Sequence, residues 1–492
     1  MTIQTNMRLI NLIDNCGQLL NIILKSPNSA DRTAESFFRD KRKIIGSKER
    51  KFISQIVFAS IRNLILIKNI SSSLELEKHL DNSNVFIKGK KHSIMVLIQI
   101  LLAENFHSDF NYILLDDIKY TENEKTLSII ESICADLSAI QNTNNILNYV
   151  VNELSKNIVS CFQSFKNCAK TNHFNFNDID TILSTLENLY SFPKEFVNNL
   201  LISQQVINKN NIFDFVNAMN RPANTCIRVN NSITDVNNVI NILKEQGIES
   251  HRGNIAPHCI IIPERRQLTT LDIYKKGYFT IQDEASQLVG YSINPNPNDT
   301  ILDACAGAGG KTLHLADLQN DKGNITATDI DFIKLKEIIK RAKLTNYKSI
   351  KIALNNNLQK NKKFDIVLVD APCSGSGTIR RDPMKKYTIL TKTINKIAQK
   401  QLEVLTNYSK YVKAGGTLLY STCSIFPQEN ENIVNQFLDA NSDFVPEPLY
   451  PHLAKHKINL TNLTETDSYI TLYPFTNNTD GFFISRLKKK SF

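Results

Sequence analysis

The sequence predicts an α/β fold built on a doubly wound, mostly parallel sheet, with an all-α domain and a small α+β domain ahead of it. Three observations predict this. Residues 301–311, Ile-Leu-Asp-Ala-Cys-Ala-Gly-Ala-Gly-Gly-Lys, read as a buried strand, a tight loop of small residues and the start of a helix. Glycines in such a loop permit positive φ and let backbone N–H groups approach a ligand closely. After Asp329, short apolar runs alternate with helical patterns, as in strands joined by crossover helices. Phe364–Asp370 is almost continuously apolar, as befits a strand covered on both faces of a parallel sheet.

A chain of 492 residues holds several domains, and the pattern divides it at 1–205, 206–277 and 278–492. Hydrophobic content of 42% and mean hydropathy of −0.23 are those of a soluble globular protein. The most apolar stretch, residues 94–103, is about ten residues long and is too short to span a bilayer. The N-terminus lacks the layout of a signal peptide, so a cytoplasmic protein without a membrane partner is expected. A net charge of +10 and a pI near 9.0 favour a polyanionic partner over a merely solvated basic surface. Nine irregularly spaced cysteines make neither a disulfide framework nor a zinc site, and no metal is expected.

In chain order, residues 7–25 place Leu9, Leu12, Ile13, Cys16, Leu19, Leu20, Ile23 and Leu24 on one helical face, ended by Pro27-Asn28-Ser29. A second helix carries Phe37 and Phe38. Ser47 is the expected N-cap of a third, whose stripe is Phe52, Ile53, Ile56, Val57, Ile61 and Leu64. Helical patterning continues to about residue 205. Lys41-Arg42-Lys43, Lys48, Arg50 and Lys51, and more weakly Lys88, Lys90 and Lys91, offer phosphate contacts or a solvated loop. At Arg221-Pro222 the pattern changes to a strand, Thr225–Val229, a helix over 235–246 ended by Gly247, and a strand, Cys259–Ile262, closed by Pro263. A strand over 278–282 and a helix over 283–289 follow, and a link with Pro295 and Pro297 leads to the glycine loop. Beyond it come strands at 325–329, Ile350–Leu354 and Phe364–Asp370, then a helix over 394–412 ended by Gly415-Gly416. A fifth strand at 417–421, a helix over 429–438 and two antiparallel edge strands at 469–473 and 482–487 complete the domain.

Ligands of doubly wound sheets lie beyond the carboxyl ends of the strands. The glycine loop, Asp329, residues 370–373 and residues 421–424 all fall at that rim. The loop is not a phosphate-cradling P-loop, because Cys305 stands where its first glycine belongs. It is not a dinucleotide fingerprint either, since Gly307 and Gly309 are followed by Thr312. Asp329 lies roughly 20 residues past the glycines, where a carboxylate accepts hydrogen bonds from ribose hydroxyls. A ribosyl ligand without a pyrophosphate suits S-adenosylmethionine. A lone cysteine is ordinarily a small buried hydrophobe. Cys373 and Cys423, at adjacent strand ends beside a cofactor loop, suit methylation of pyrimidine C5. That reaction needs a thiolate to add to C6, a base to remove the C5 proton and an acid near N3, and two cysteines with Asp370 fit these tasks.

The chain resembles the RNA (cytosine-5)-methyltransferases of the Nol/Nop/Sun class, most of all the bacterial RsmB-type 16S rRNA methyltransferases. The resemblance rests on residues 303–312, 370–381 and 415–424, with 429–431, 479–483, 282–286 and 228–230 adding to it. It covers residues 221–492, and residues 8–62 resemble the family's N-terminal RNA-binding extension, NusB-like in some members. It implies a Rossmann-like class I S-adenosylmethionine-dependent methyltransferase domain acting on RNA, with small-subunit rRNA as substrate. Apart from the resemblance a monomer is expected, although no residue pattern reads out the oligomeric state. By resemblance Cys423 is the C6 nucleophile, Cys373 assists product release and Asp370 contacts the cytosine and the methionine end of the cofactor. Cys305, Ala306, Gly307, Ala308, Gly309, Gly310 and Lys311 wrap the cofactor, and Asp329 holds its ribose. Arg380, Arg381, Lys385 and Lys386 flank the pocket as candidate RNA phosphate contacts.

Two departures stand out: Ala308 replaces the family's usual proline, and Asn356 stands where an adenine-side aspartate is usual. DNA cytosine-5 methyltransferases would assign attack to Cys373 instead, but Thr422-Cys423-Ser424 and the N-terminal extensions favour RNA. An amino-group methyltransferase would carry an aromatic residue where Cys373 stands. A tRNA substrate, or an rRNA-binding assembly factor without catalysis, are the remaining alternatives.

Overall fold

The computed structural model describes residues 3–73, 90–105, 179–201, 207, 211–263, 266–354, 358–359 and 361–491. The chain forms two compact units, Met1–Pro222 with Ile379–Thr388, and Ala223–Thr378 with Ile389–Phe492.

Among the described residues the first unit holds the helices α1 (Ile3–Lys25), α2 (Ala30–Asp40), α3 (Ser47–Arg62), α4 (Leu64–Ser73), α5 (Lys90–Asn105), α6 (Ile179–Asn188), α7 (Lys194–Leu201) and α8 (Ile212–Asn220). The apolar stripes form its core, with Cys16, Leu19, Leu20, Ile23, Phe52, Ile53, Ile56 and Val57 all buried. Gly46, and not Ser47, precedes the first turn of α3, and Glu49 reaches back to accept the Gly46 N–H at 2.8 Å. The helix stops at Asn63, whose amide donates to buried Gln99 at 3.0 Å, so Leu64 begins α4. Lys41 folds back onto α1, donating to Asn15 at 2.7 Å and Gln18 at 2.6 Å. Lys88 lies outside the described residues. Among the described residues no single helix is long and apolar enough to cross a membrane.

Two of the four cations expected to meet RNA phosphates are instead interior to this unit. The Lys386 ammonium is 1% exposed and donates to the Arg62 carbonyl at 2.7 Å and to Asn220 at 2.9 Å, 4.5 Å from the centre of the Phe192 ring. Arg380 is 6% exposed and donates to the Pro222 carbonyl at 3.0 Å. Arg381 and Lys385 are half-buried. Burying a cation is costly unless donors find acceptors, and here backbone carbonyls and an aromatic face supply them.

The second unit carries two sheets. The smaller, antiparallel sheet has the order β2-β3-β1-β4, from β1 (Thr225–Val229), β2 (His251–Arg252), β3 (Cys259–Ile262) and β4 (Phe279–Ile281), with helix α9 (Val236–Glu245) packed against it. The strand expected at 278–282 thus pairs with β1. Helix α10 (Glu284–Ile293) leads into the larger sheet. That sheet contains β5 (Thr300–Asp303), β6 (Asn324–Asp329), β7 (Ile350–Leu354), β8 (Phe364–Asp370), β9 (Val412–Thr422), β10 (Phe444–Pro446), β11 (Tyr469–Leu472) and β12 (Phe482–Lys489). Its order is β10-β12-β9-β8-β5-β6-β7, with β11 also on β12; strands β5 to β9 are parallel and β12 is antiparallel to β9. The helices between these strands are α11 (Gly310–Leu318), α12 (Phe332–Thr345), α13 (Thr391–Ser409) and α14 (Glu431–Ala440). This is a Rossmann-like order, with the direction of winding reversing between β5 and β8.

Gly415-Gly416 does not end a helix, as the sequence suggested. Helix α13 stops at Ser409, and β9 runs through both glycines, with Gly415 at φ +69° and a shift in its register against β8. A Cβ on Gly416 would stand 2.9 Å from the Asp365 carbonyl.

A buried ion pair joins β1 to α11. The Arg228 guanidinium lies 3.4 Å from Asp317, both side chains being excluded from solvent, and also donates to Gln282 at 2.9 Å. The N–H groups of Asn231 and Ser232 and the Tyr347 hydroxyl complete the shell around Asp317 at 2.9 to 3.0 Å. Additional hydrogen bonds of this kind are what let a buried pair offset its desolvation.

Candidate active site

The reversal of strand order between β5 and β8 opens a crevice at their carboxyl ends, where doubly wound sheets bind ligands. On one side lies the glycine loop. The Ala306 N–H donates to the Thr328 carbonyl at 3.0 Å, the Gly307 N–H to Asp329 at 2.9 Å, and the Asp331 N–H to the other Asp329 oxygen at 2.8 Å. Gly309 has φ +82°, and a Cβ there would stand 2.8 Å from Ile338, so glycine is required for the loop to lie against α12. A Cβ on Gly307 would meet nothing within 4 Å, which leaves open space in front of the loop. Arg341 braces the loop by donating to the Ala308 carbonyl at 2.7 Å. Cys305 is partly exposed, and burial pushes its thiol up.

Beneath the loop, Asp303 is fully buried at the end of β5. One oxygen accepts the Thr312 hydroxyl at 2.7 Å and the other has no partner. Burial pushes its carboxyl up to about 7, against the pull of that hydrogen bond.

Lys311, in the first turn of α11, donates to Asp370 at 2.6 Å and stands 5.1 Å from the centre of the Phe482 ring. The second Asp370 oxygen accepts the Ser421 hydroxyl at 2.9 Å. The Asp370 side chain remains 28% exposed. Asp370 therefore presents a charge-compensated carboxylate to the crevice.

On the other side of the crevice, the Cys373 and Cys423 sulfurs stand 3.2 Å apart, both partly exposed. The hydrogen bond shared with Cys423, then burial, then the charges of Cys423 and Glu429 hold the Cys373 thiol well above its ordinary range. Two thiols this close share protons readily, and deprotonation of one resists that of the other. The loops carrying them are interlocked. The Gly377 N–H donates to the Cys423 carbonyl at 2.9 Å, the Ile425 N–H to Ser376 at 3.0 Å, and the Gly481 N–H to the Gly377 carbonyl at 2.9 Å. A Cβ on Gly377 would lie 2.0 Å from the Gly481 carbonyl, so this crossing admits only glycine.

The structure thus brings Cys305 to Lys311, Asp329, Asp370, Cys373 and Cys423 to one rim. Asn356 lies outside the described residues. Among the described residues no group of acidic, histidine or cysteine side chains could hold a metal ion. Sequence reading gave no role to Glu429, which is buried behind both cysteine loops, or to Asp303. The serine directly after each cysteine was the available signal for Glu429, since hydroxyls need partners once buried.

Residues 290–488 match the model of the 16S rRNA methyltransferase RsmB/F family, and residues 209–269 match the ferredoxin-like domain model of RsmF/B-like methyltransferases. A probable ribosomal RNA small subunit methyltransferase B of Bacillus subtilis is 34% identical over 274 residues, which are 55% of this chain. The chain spans about 60% of the length of that curated relative. The solved structure of PH0851 covers 99% of this chain and all of its own at 24% identity and a TM-score of 0.67. That of NSun6 from Pyrococcus horikoshii with SFG covers 62% of this chain and 99% of its own at 21% identity and a TM-score of 0.53. The likeness to these two structures is one of fold.

Proposed function

We propose that the protein is an S-adenosylmethionine-dependent RNA cytosine-5 methyltransferase acting on small-subunit rRNA. The observation that carries this reading is the pair of thiols 3.2 Å apart at the carboxyl ends of adjacent parallel strands, beside the glycine loop. The family match supports it.

The residues present fit the cofactor. Open space faces Gly307, the Asp329 carboxylate already orders the loop from the ribose side, and the apolar side chain of Ile330 is 90% exposed next to it. Residues 305–311 would wrap the cofactor, Asp329 would hold its ribose and Asn356 would face its adenine. When bound, S-adenosylmethionine supplies the electrophilic methyl group for C5.

Every other task falls to the chain. With one proton between the two sulfurs and that proton on Cys373, Cys423 is the thiolate. Its electron pair adds to C6 of the cytosine, forming an S–C6 bond and making C5 nucleophilic. As the S–C6 bond forms N3 takes a proton from water, and Asp370, charge-compensated by Lys311, accepts a hydrogen bond from that N3–H and stabilises the adduct. Hydroxide or water then removes the proton of the methylated C5, that C–H pair forms the C5=C6 bond, the S–C6 bond breaks with its electrons returning to Cys423, and N3 gives its proton back to solvent. Cys373, still a thiol, assists by donating a hydrogen bond to the departing sulfur. Region 1–205 is proposed as the RNA-binding part, ahead of a proposed α+β domain at 206–277 and a proposed catalytic domain at 278–492.

The test is to incubate wild type, Cys373→Ala and Cys423→Ala with cofactor and RNA, both naked and as ribosomal particles, and to look for a denaturant-resistant protein–RNA adduct. Cys373→Ala is expected to trap the adduct, and Cys423→Ala to form none and transfer no methyl group. Sequencing the trapped RNA decides between rRNA and tRNA. The reverse pattern would overturn the assignment of roles. Cofactor binding with neither adduct nor methylation on any substrate would favour an assembly factor.

A further inference from the structure

Glu429 ends the turn Pro427–Glu429 ahead of α14, and its side chain is 0% exposed. Among the described residues its carboxylate is met by donors and not by a lysine or arginine. One oxygen accepts the Ser374 N–H at 2.8 Å and the Gln401 amide at 3.2 Å. The other accepts the Ser374 hydroxyl and, at 2.6 Å, the Ser424 hydroxyl. Ser374 directly follows Cys373, and Ser424 directly follows Cys423. Gln401 extends the clamp, because the same amide nitrogen donates to the Pro372 carbonyl at 3.0 Å. The Tyr420 hydroxyl in turn fixes the Glu429 backbone at 2.6 Å.

A buried carboxylate with no cation is an expensive group to keep, and four hydrogen bonds are what make it tolerable. A purely architectural link between two loops would be served by an amide or by apolar contact at lower cost. Three of the four bonds come from the two Cys-Ser steps and fix them relative to each other, and the fourth, from Gln401, ties in the Pro372 carbonyl just ahead of Cys373. We propose that Glu429 is the positioning residue of the cysteine pair, holding the two sulfurs at proton-sharing distance without touching the base. For its kinetic consequence this inference rests on the methyl-transfer reading above.

The charge has a second effect. The titratable groups around the pair are Asp370 with its partner Lys311, Cys305, Tyr420 and Glu429. The Glu429 carboxylate adds to what holds Cys373 in its thiol form, which is the form the release step uses.

Glu429→Gln separates charge from shape. The Ser374 N–H and the Gln401 amide are fixed donors, so the new carbonyl oxygen takes their side. The new NH₂ then faces two serine hydroxyls, which can rotate to accept. The variant should therefore fold, melting within about 3 °C of wild type. Iodoacetamide alkylation, followed by peptide mass spectrometry across pH, reads each thiol separately and needs no turnover. In Glu429→Gln the alkylation of Cys373 at fixed pH is expected to rise about tenfold, because the thiolate is no longer opposed by the neighbouring carboxylate. Single-turnover methyl transfer should fall by about tenfold or more with the cofactor KM unchanged. Glu429→Asp, which keeps the charge and loses the reach, should restore the Cys373 alkylation profile but not the turnover. If Glu429→Gln does not fold, Ser424→Ala removes one donor from the same carboxylate and should lower turnover with unchanged KM. Wild-type alkylation and wild-type turnover in the folded variant would overturn the proposal. A wild-type protein without methyl transfer would overturn the functional reading instead, while the alkylation profiles would still decide on Glu429.

Discussion

The two sides of the crevice are built differently. The cysteine side is locked: the Cys373 and Cys423 loops exchange hydrogen bonds with each other and converge on one buried carboxylate, and a glycine crossing leaves no room for a methyl group. The glycine-loop side is ordered mainly by backbone donors to Asp329, with open space in front of Gly307 and an exposed isoleucine beside it. The difference follows from what each side must do. Bond formation at a sulfur tolerates little misplacement, so the cysteines are held before anything binds. A cofactor pocket can leave part of its surface to be covered by the ligand, since burial of that ligand supplies the driving force.

This contrast predicts that changes on the locked side act on rate and changes on the open side act on affinity. The largest effect should come from Cys423→Ala, with methyl transfer lowered by about a thousandfold or more while cofactor binding stays at the wild-type value. Equilibrium dialysis of the cofactor alongside single-turnover kinetics would check both halves of that statement. A parallel loss of cofactor binding would break the contrast at its strongest point.

Asp370 sits between the two sides, joined to Lys311 of the glycine-loop helix and to Ser421 of β9. Asp370→Asn removes the charge that Lys311 compensates and leaves one neutral acceptor for Lys311 and the protonated base to share. We expect the single-turnover rate to fall about a hundredfold, with a smaller rise in cofactor KM. An effect on KM alone would move Asp370 wholly to the open side.

Asp303 lies under the seam and should govern stability more than either function. Its carboxyl is raised in the folded protein to about 7 from 3.8, so the folded state binds a proton there more tightly than the unfolded state does. The stability this contributes is complete below pH 3.8 and is lost as pH rises through about 7. Denaturant unfolding between those limits should show a decline on the order of 4 kcal/mol. Asp303→Asn keeps an oxygen for the Thr312 hydroxyl and should abolish that part of the decline. An unchanged profile in the variant would show that Asp303 titrates normally.

How far the sequence foretold this depends on where the partners of each residue come from. Phe364–Asp370 was readable to the residue, because an apolar run bounded by polar residues is itself the signal for a buried parallel strand, and Ile350–Leu354 was readable from its β-branched residues although it is an edge strand and only partly buried. The rim was readable because strand ends are, and the small loop, Asp329, Asp370 and the two cysteines all follow strand ends. Arg380 and Lys386 were misread as surface cations because their acceptors are largely backbone carbonyls, Pro222 and Arg62, which leave no mark on a sequence. Glu429 went without a role for the same reason: its partners are a peptide N–H, two serines and a glutamine from three separate segments. Strand β10 was missed because three residues ending in proline carry no alternation to read, and the start of β9 because a Gly-Gly pair within a strand resembles a terminator.

The smallest of these effects should come from the open side, and it is the sharpest check on the comparison. Asp329 accepts the N–H groups of Gly307 and Asp331, one on each oxygen, so each oxygen retains acceptor capacity toward the crevice. Asp329→Asn preserves size and one acceptor but turns the other position into a donor facing a backbone N–H. The loop must then shift slightly, and one acceptor for a ribose hydroxyl is lost. A single such hydrogen bond is worth about 1 kcal/mol net, or somewhat more when the acceptor is charged, so cofactor affinity should fall about tenfold. Because the locked side is assembled independently of that loop, the rate at saturating cofactor should stay within about twofold of wild type. Alkylation of Cys373 and Cys423 should likewise be unchanged. A large loss of rate at saturation, or a change in thiol reactivity, would mean that the glycine loop and the cysteine loops are mechanically coupled, and that the two sides of the crevice form one device.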